Sequence, residues 1–196
     1  VPANSDKSIE EIKKCFQYIL KSQLSLINKS GYSLLGVGID TPGPFDFKNS
    51  KSLMQHKFKA IYNIPLKPWV SEITGDIPVM FIHDSSAFII GEIWSGATKG
   101  FENIAGVMIG TGLGFAAVLG NTVLQNENGG PGISIYRKPF LDSTAEEYVS
   151  RRGIIKRYKN RLKNPNIDID VKDIAEKARK GDKNAIDTFS ETGKFL

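Results

Sequence analysis

Residues Val79 to Glu92 read VMFIHDSSAFIIGE. Val79 to Ile82 form an apolar run of strand length, and SAFIIGEIWSGA then sets Ala87, Ile90 and Trp94 at helical spacing. His83 and Asp84 stand at the junction. A strand handing over to a helix marks a mixed α/β chain. Asp84 has two readings. It is the cap of the helix, since aspartate accepts well from first-turn N–H groups, or it is a catalytic base held at the end of a strand.

Upstream, Ser8 and Glu11 have the spacing of a capping box. Ile9, Ile12, Phe16, Ile19, Leu20, Leu24 and Ile27 continue at helical intervals to about Lys29, and Gly31 ends the helix. YSLLGVGID predicts a buried strand, and TPGPFDF after it must be a loop, because two prolines around a glycine suit neither ladder nor helix. Lys48 to Lys67 lacks periodicity and reads as mostly irregular. Downstream, NIAGVMIGTGLGFAAVLGNTVL predicts two strands joined by a glycine-rich turn. STAEEYVSRRGIIKRYKN predicts a helix capped by Ser143 with Glu146 at the box position. Helices over Val171–Lys180 and Asp182–Leu196 follow, with Gly181 between them.

The bulk composition narrows the classes. At 196 residues, 40% hydrophobic and 24% charged, the chain fits an ordinary globular protein of one domain or two small ones. No apolar run reaches the roughly 18 residues of a membrane span, and VPANSDKS lacks a signal-peptide layout. One cysteine, Cys15, rules out an internal disulfide framework and any zinc site built on several cysteines. The expected location is the cytoplasm, with no membrane partner. The net charge of +5 comes from the last quarter, with its peak in RRGIIKRYKNRLK. That run reads as a solvated helix face; no nucleic-acid-binding pattern accompanies it.

Two loops could bind an anion or a sugar. In IGTGLGF, Gly110, Thr111, Gly112 and Gly114 place three glycines and a hydroxyl between apolar strands. Such a backbone can turn its N–H groups onto a phosphate, or it can be a plain hairpin turn. In GIDTPGPFD, the Thr-Pro-Gly-Pro loop is stiff before any ligand arrives, which lowers the entropy lost on binding. It serves equally as a tight connection.

Taken in order, the TPGP loop after a strand, Asp84 after a strand, GTGLG between strands and then AEEYVS resemble the ROK family of sugar kinases and sugar-responsive repressors. NIPLKPW, from Asn63 to Trp69, is similar to that family's segment before the catalytic strand. The resemblance implies an actin-like (ribonuclease-H-like) ATPase fold, with two α/β lobes around a cleft that closes on the sugar. Residues 1–97 would be the remainder of the N-terminal lobe and residues 98–196 the start of the C-terminal lobe. The family's first phosphate loop and its adenosine motif would lie beyond the two ends, so the chain is expected to be incomplete at both.

The resemblance also implies roles. Asp84 would be the base that takes the proton from the attacking sugar hydroxyl. Gly43, Pro44, Asn63 and His83 would line the sugar. Gly110, Thr111, Gly112 and Gly114 would receive the phosphates of ATP with Mg2+. Sugar and nucleotide would be the partners, and a homodimer is compatible with this.

The chain departs from the family at three places. His83 replaces the usual Asn before the aspartate. GGPGISIY stands where the kinases carry Gly-Glu-x-Gly-His, putting Ile133 at the sugar-binding Glu and Tyr136 at the His. The zinc-binding cysteine cluster is absent, so no structural zinc is expected. An ATP-dependent hexose kinase is thus the first expectation. A non-catalytic sugar or nucleotide sensor is the alternative, and a kinase for an unusual acceptor is the third.

Overall fold

The computed structural model describes residues 5–196; the first four residues of VPANSDKS lie outside the described residues. The chain divides into two compact units. One comprises the residues up to Gly100 together with Val123–Gly132, and the other comprises Phe101–Thr122 with Ile133–Leu196.

The first unit opens with helix α1 (Ile9–Lys29), whose Ser8 and Glu11 form the expected capping box. Strand β1 (Val37–Thr41) leads into the short antiparallel pair β2 (Phe45–Asp46) and β3 (Lys51–Ser52). A 3-10 turn (Lys59–Ile61), helix α2 (Lys67–Thr74), strand β4 (Val79–His83) and helix α3 (Asp84–Ser95) complete it. β1 and β4 are parallel, with Thr41 opposite His83. That register brings the carboxyl ends of both strands level, where open α/β sheets place their ligand sites.

The strand over YSLLGVGID is shorter than its apolar run, and the expected burial is reduced to one partly buried face. Val37, Ile39 and Val79 pack on a core of Ile12, Phe45, Ile61, Leu66, Trp69, Val70 and Phe81. Gly38, Asp40 and Met80 on the other face are exposed, Met80 by 67%. Lys13 and Gln17 bind Glu72 at 2.7 and 2.8 Å and tie α1 to α2. α3 also differs from its predicted stripe. It buries Ser85, Ser86 and Ile89, whereas Ile90 is exposed and Trp94 is 83% exposed. An evenly apolar helix does not say which of its faces the core will take.

The second unit begins with the hairpin of β5 (Ile104–Ile109) and β6 (Leu113–Leu119), followed by β7 (Thr122–Val123). A small pair follows, β8 (Pro139–Phe140) with β9 (Ser143–Thr144), and then α4 (Ala145–Val149), α5 (Arg151–Arg161), α6 (Val171–Arg179) and α7 (Lys183–Gly193). Ile154, Tyr158, Ile174 and Ala185 form the core of the helices. The predicted Ser143 cap is corrected here. Ser143 pairs with Phe140 in β9, and the helix starts at Ala145 behind Thr144. The predicted single helix also breaks at the buried Ser150, which is extended (ψ 173°) between α4 and α5. Asp170 and Asp182 cap α6 and α7 with their side chains. Among the described residues no helix is long and apolar enough to cross a membrane.

Candidate active site

In the first unit the site forms around His83. The ring packs edge-on to Phe47, with centroids 5.8 Å apart. A Cβ added at Gly43 would sit 3.3 Å from His83 Nε2, so the absence of a side chain in the TPGP loop lets the loop lie against the imidazole. Pro44 follows through a cis peptide, and its carbonyl accepts from Leu53 N–H at 3.0 Å. Phe45 stacks on Phe81 of β4, which anchors the loop in the core.

His83 occupies the cap position of α3 and Asp84 is its first helical residue. Asp84 Oδ1 accepts from Ser85 N–H at 2.7 Å and lies 3.0 Å from His83 Nδ1. Its side chain is 51% exposed, against 15% for His83. The contact with His83 holds the Asp84 carboxyl below the usual carboxylate range, in opposition to partial desolvation. The His83 charge, the Ser85 N–H and the Lys57 charge act in the same direction as that contact. The positive end of α3 adds to it. Asp84 is therefore an ionised, half-exposed carboxylate at the end of a strand.

Two neighbours of this cluster carried no signal in the sequence. Phe47 N–H donates to the carbonyl of Asn128 at 2.9 Å, and a Cβ at Gly129 (φ 80°) would press on Phe47 at 2.9 Å. The loop from Val123 to Gly132 is thereby fixed beside the aromatic ring that backs His83, although it lies far away along the chain. Asn126 braces the loop through its side-chain Oδ1, which accepts from Asn128 and Gly130 N–H. Lys57 is the second neighbour. Asn63 takes a left-handed backbone conformation (φ 58°), and its N–H donates to the Ser52 carbonyl. None of the described hydrogen bonds or ring contacts joins Asn63 to His83 or Asp84.

In the second unit Gly110, Thr111 and Gly112 form the hairpin tip, with Ile109 opposite Leu113. The glycines have separate reasons. A Cβ at Gly112 would lie 2.5 Å from Glu146 Oε2, and one at Gly114 would lie 3.1 Å from the Met108 side chain. Nothing comes within 4 Å at Gly110, and Gly110 and Thr111 are exposed. Glu146 Oε2 accepts from Leu113 N–H at 2.9 Å, while its Oε1 pairs with Arg152 at 2.9 Å. Arg151 N–H donates to the Gly110 carbonyl at 2.9 Å. The turn is thus held from one side by α4 and α5, and its Gly110–Thr111 side is open. Ile133 and Tyr136 are both partly exposed, and the Tyr136 carbonyl accepts from Glu146 N–H.

Glu146 does not serve as the expected capping-box partner; its carboxylate makes a contact 33 residues away in sequence. Removing that carboxylate leaves the buried Leu113 N–H without its acceptor. Glu146→Ala is expected to speed exchange of the Leu113 amide by about tenfold to a hundredfold. Glu146→Gln keeps an acceptor and should change exchange little. Equal exchange in the two variants would show that the contact does not hold the turn.

The sequence profile of the ROK family matches residues 5–133. This chain belongs to the ROK family. Among curated proteins it is 28% identical over 170 residues to a glucokinase of Thermotoga maritima, covering 76% of this chain and 53% of that protein. It is 32% identical over 101 residues to a xylose repressor of Bacillus spizizenii, covering 52% of this chain and 26% of that protein. Among solved structures, a glucokinase from Parabacteroides distasonis superposes with a TM-score of 0.77 at 25% identity, over 100% of this chain and 59% of that one. The fold is therefore the actin-like ATPase fold of ROK sugar kinases, present in part. The chain spans about half the length of the Thermotoga glucokinase, and less of the repressor.

Proposed function

We propose that this ROK chain is the part of a sugar kinase that carries the catalytic base and one phosphate-binding turn. The reaction moves the γ-phosphoryl group of ATP onto a hydroxyl of a hexose or hexose-like sugar. The observation that carries the reading is Asp84, an ionised carboxylate at the carboxyl end of β4, hydrogen-bonded on Oδ1 and half exposed.

Asp84 takes the proton of the attacking hydroxyl as the oxygen–phosphorus bond forms. A carboxylate of low basicity suffices, because the hydroxyl becomes acidic only as it loses charge to phosphorus. Gly43 and Pro44 orient the sugar beside His83, and Asn63 is assigned to the same side by family position alone. The open side of Gly110 and the Thr111 hydroxyl meet phosphate oxygens, while Gly112 and Gly114 keep the turn in shape. Magnesium would neutralise charge on the phosphates. It keeps several waters and needs only one or two carboxylates besides the phosphates, so these residues are compatible with it.

The pH dependence follows from the direction of the Asp84 shift. A base works when deprotonated, so activity is lost as pH falls through its folded pKa. The His83 contact holds that pKa below the ordinary carboxylate value of about 3.9. Between pH 8 and pH 5 the Asp84-dependent step should therefore stay at full strength. A kcat/KM profile whose acid limb falls above pH 5, and shifts when Asp84 is replaced, would contradict the assignment.

A second reading has its own support. The identity to a xylose repressor, together with Ile133 and Tyr136 at the family's Glu and His positions, favours a sugar sensor without turnover. ADP release with ATP, magnesium and a panel of hexoses, pentoses and amino sugars tests the choice. Sugar-dependent release supports the kinase, whereas sugar binding without release supports the sensor.

A further inference from the structure

We propose that His83 is a positioning residue for Asp84: its Nδ1–H fixes the carboxylate in one rotamer and leaves Nε2 as the ring's one acceptor. The inference rests on the kinase reading above and goes beyond it, because it gives the histidine a role through the base and not only through the sugar.

The Asp84 contact at Nδ1 argues for one tautomer. Asp84 Oδ1 lies 3.0 Å from Nδ1, Ser85 Oγ lies 2.8 Å away, and Ser85 N–H points at Nδ1 as a donor from 3.2 Å, a longer contact than the one it makes to Asp84 Oδ1. If Nδ1 had no proton, its lone pair would face a carboxylate oxygen at hydrogen-bond distance, and the two would repel. With a proton on Nδ1 the ring donates towards Asp84 Oδ1 and Ser85 Oγ. Ser85 N–H is then free to donate to Asp84 Oδ1, its shorter contact at 2.7 Å. The Nδ1 proton, Asp84 Oδ1 and the Ser85 N–H are then each partnered. Which nitrogen carries the proton is commonly set by such a neighbour.

The ring itself is held in place. Phe47 packs edge-on to it, and Gly43 lies against Nε2 and Cδ2, where a Cβ would come to 3.3 and 3.5 Å. Ser85, which makes the other two contacts, is buried. The positive charge of Lys57 also acts on Asp84. The carboxylate is thus restrained through Oδ1 by a ring that is itself packed, and the Oδ2 edge is left for the incoming hydroxyl.

Two isosteres separate the two edges of the imidazole. Asparagine can place an amide nitrogen where Nδ1 stands, and glutamine reaches only to the position of Nε2. In sugar phosphorylation by the whole protein, His83→Asn should keep kcat within about threefold. His83→Gln and His83→Ala should lower it by about tenfold to a hundredfold, the range for losing a hydrogen bond to a charged group, with the sugar KM changed less. A Gln variant that matches or exceeds the Asn variant in kcat would overturn the proposal and make His83 a sugar contact through Nε2.

Nitrogen-15 spectra of histidine-labelled protein give a readout free of activity. His83 should be the Nδ1–H tautomer in the native chain and lose that preference in Asp84→Ala. A native spectrum with the proton on Nε2 would overturn the proposal whatever the rates show. If the native protein transfers no phosphate to any sugar, the kinase reading fails. The tautomer spectrum alone then decides whether His83 holds Asp84.

Discussion

Asp84→Asn should lower kcat for sugar phosphorylation by about a hundredfold to ten-thousandfold, the usual contribution of a positioned base, and should leave KM for sugar and ATP nearly unchanged. The amide keeps the shape of the carboxylate and still offers an oxygen to Ser85 N–H, so the start of α3 is preserved. What is lost is basicity, which matters only as the hydroxyl attacks. An interaction made only in the transition state appears in kcat and not in KM. A variant with full kcat would return Asp84 to a structural role at the helix start. A large rise in KM with kcat kept would make it a sugar-binding group.

The largest expected effect on stability is at Gly153. A Cβ there would overlap the Glu147 carbonyl oxygen and lie 2.7 Å from that of Tyr148. These are backbone atoms at the end of α4, where the chain turns through the buried Ser150 into α5. They cannot swing aside as a side chain could. Gly153→Val should cost about 3 kcal/mol or more, at the upper end of overpacking effects, and lower Tm by roughly 6–12 °C for a chain of this size. Because α4 also carries Glu146, the same variant should loosen the Leu113 amide. Gly91→Ala is the contrasting case. Its Cβ would meet nothing within 4 Å on α3, so alanine should raise stability by about 0.5–1 kcal/mol. A Gly153→Val protein with a Tm within roughly 1 °C of the native value would refute the close approach of the two helices.

Local chemistry was legible where neighbours in sequence are neighbours in space. The Ser8–Glu11 box, the hairpin over Ile104–Leu119 and the strand-to-helix junction at His83 and Asp84 all stand as their patterns require. The family and its fold were legible from the order of the TPGP, HD and GTGLG segments. Contacts that join distant segments were not. STAEEYVS carries the S-x-x-E spacing of a cap, and tertiary structure overrode that preference, pairing Ser143 in a small ladder and sending Glu146 to Leu113. The turn's glycines also have packing reasons that the sequence did not show, since Gly112 makes room for Glu146 and Gly114 for Met108.

The stripe of Ala87, Ile90 and Trp94 shows a related limit. α3 is apolar nearly all round, and the face bearing Ser85, Ser86 and Ile89 is the one that packs. Nor could the sequence bring Asn128 to Phe47, because the return of Val123–Gly132 to the first unit follows from strand topology and not from any local motif.

The most direct test of the central claim is to follow the phosphoryl group itself. Phosphorus NMR of the whole protein with ATP, magnesium and each sugar of the panel would show whether a sugar phosphate ester forms as the γ-phosphate signal decays. The account predicts an ester with at least one sugar, formed by the native protein and lost in Asp84→Asn. Decay of ATP to inorganic phosphate alone, or an ester formed equally well by the Asp84→Asn protein, would contradict it.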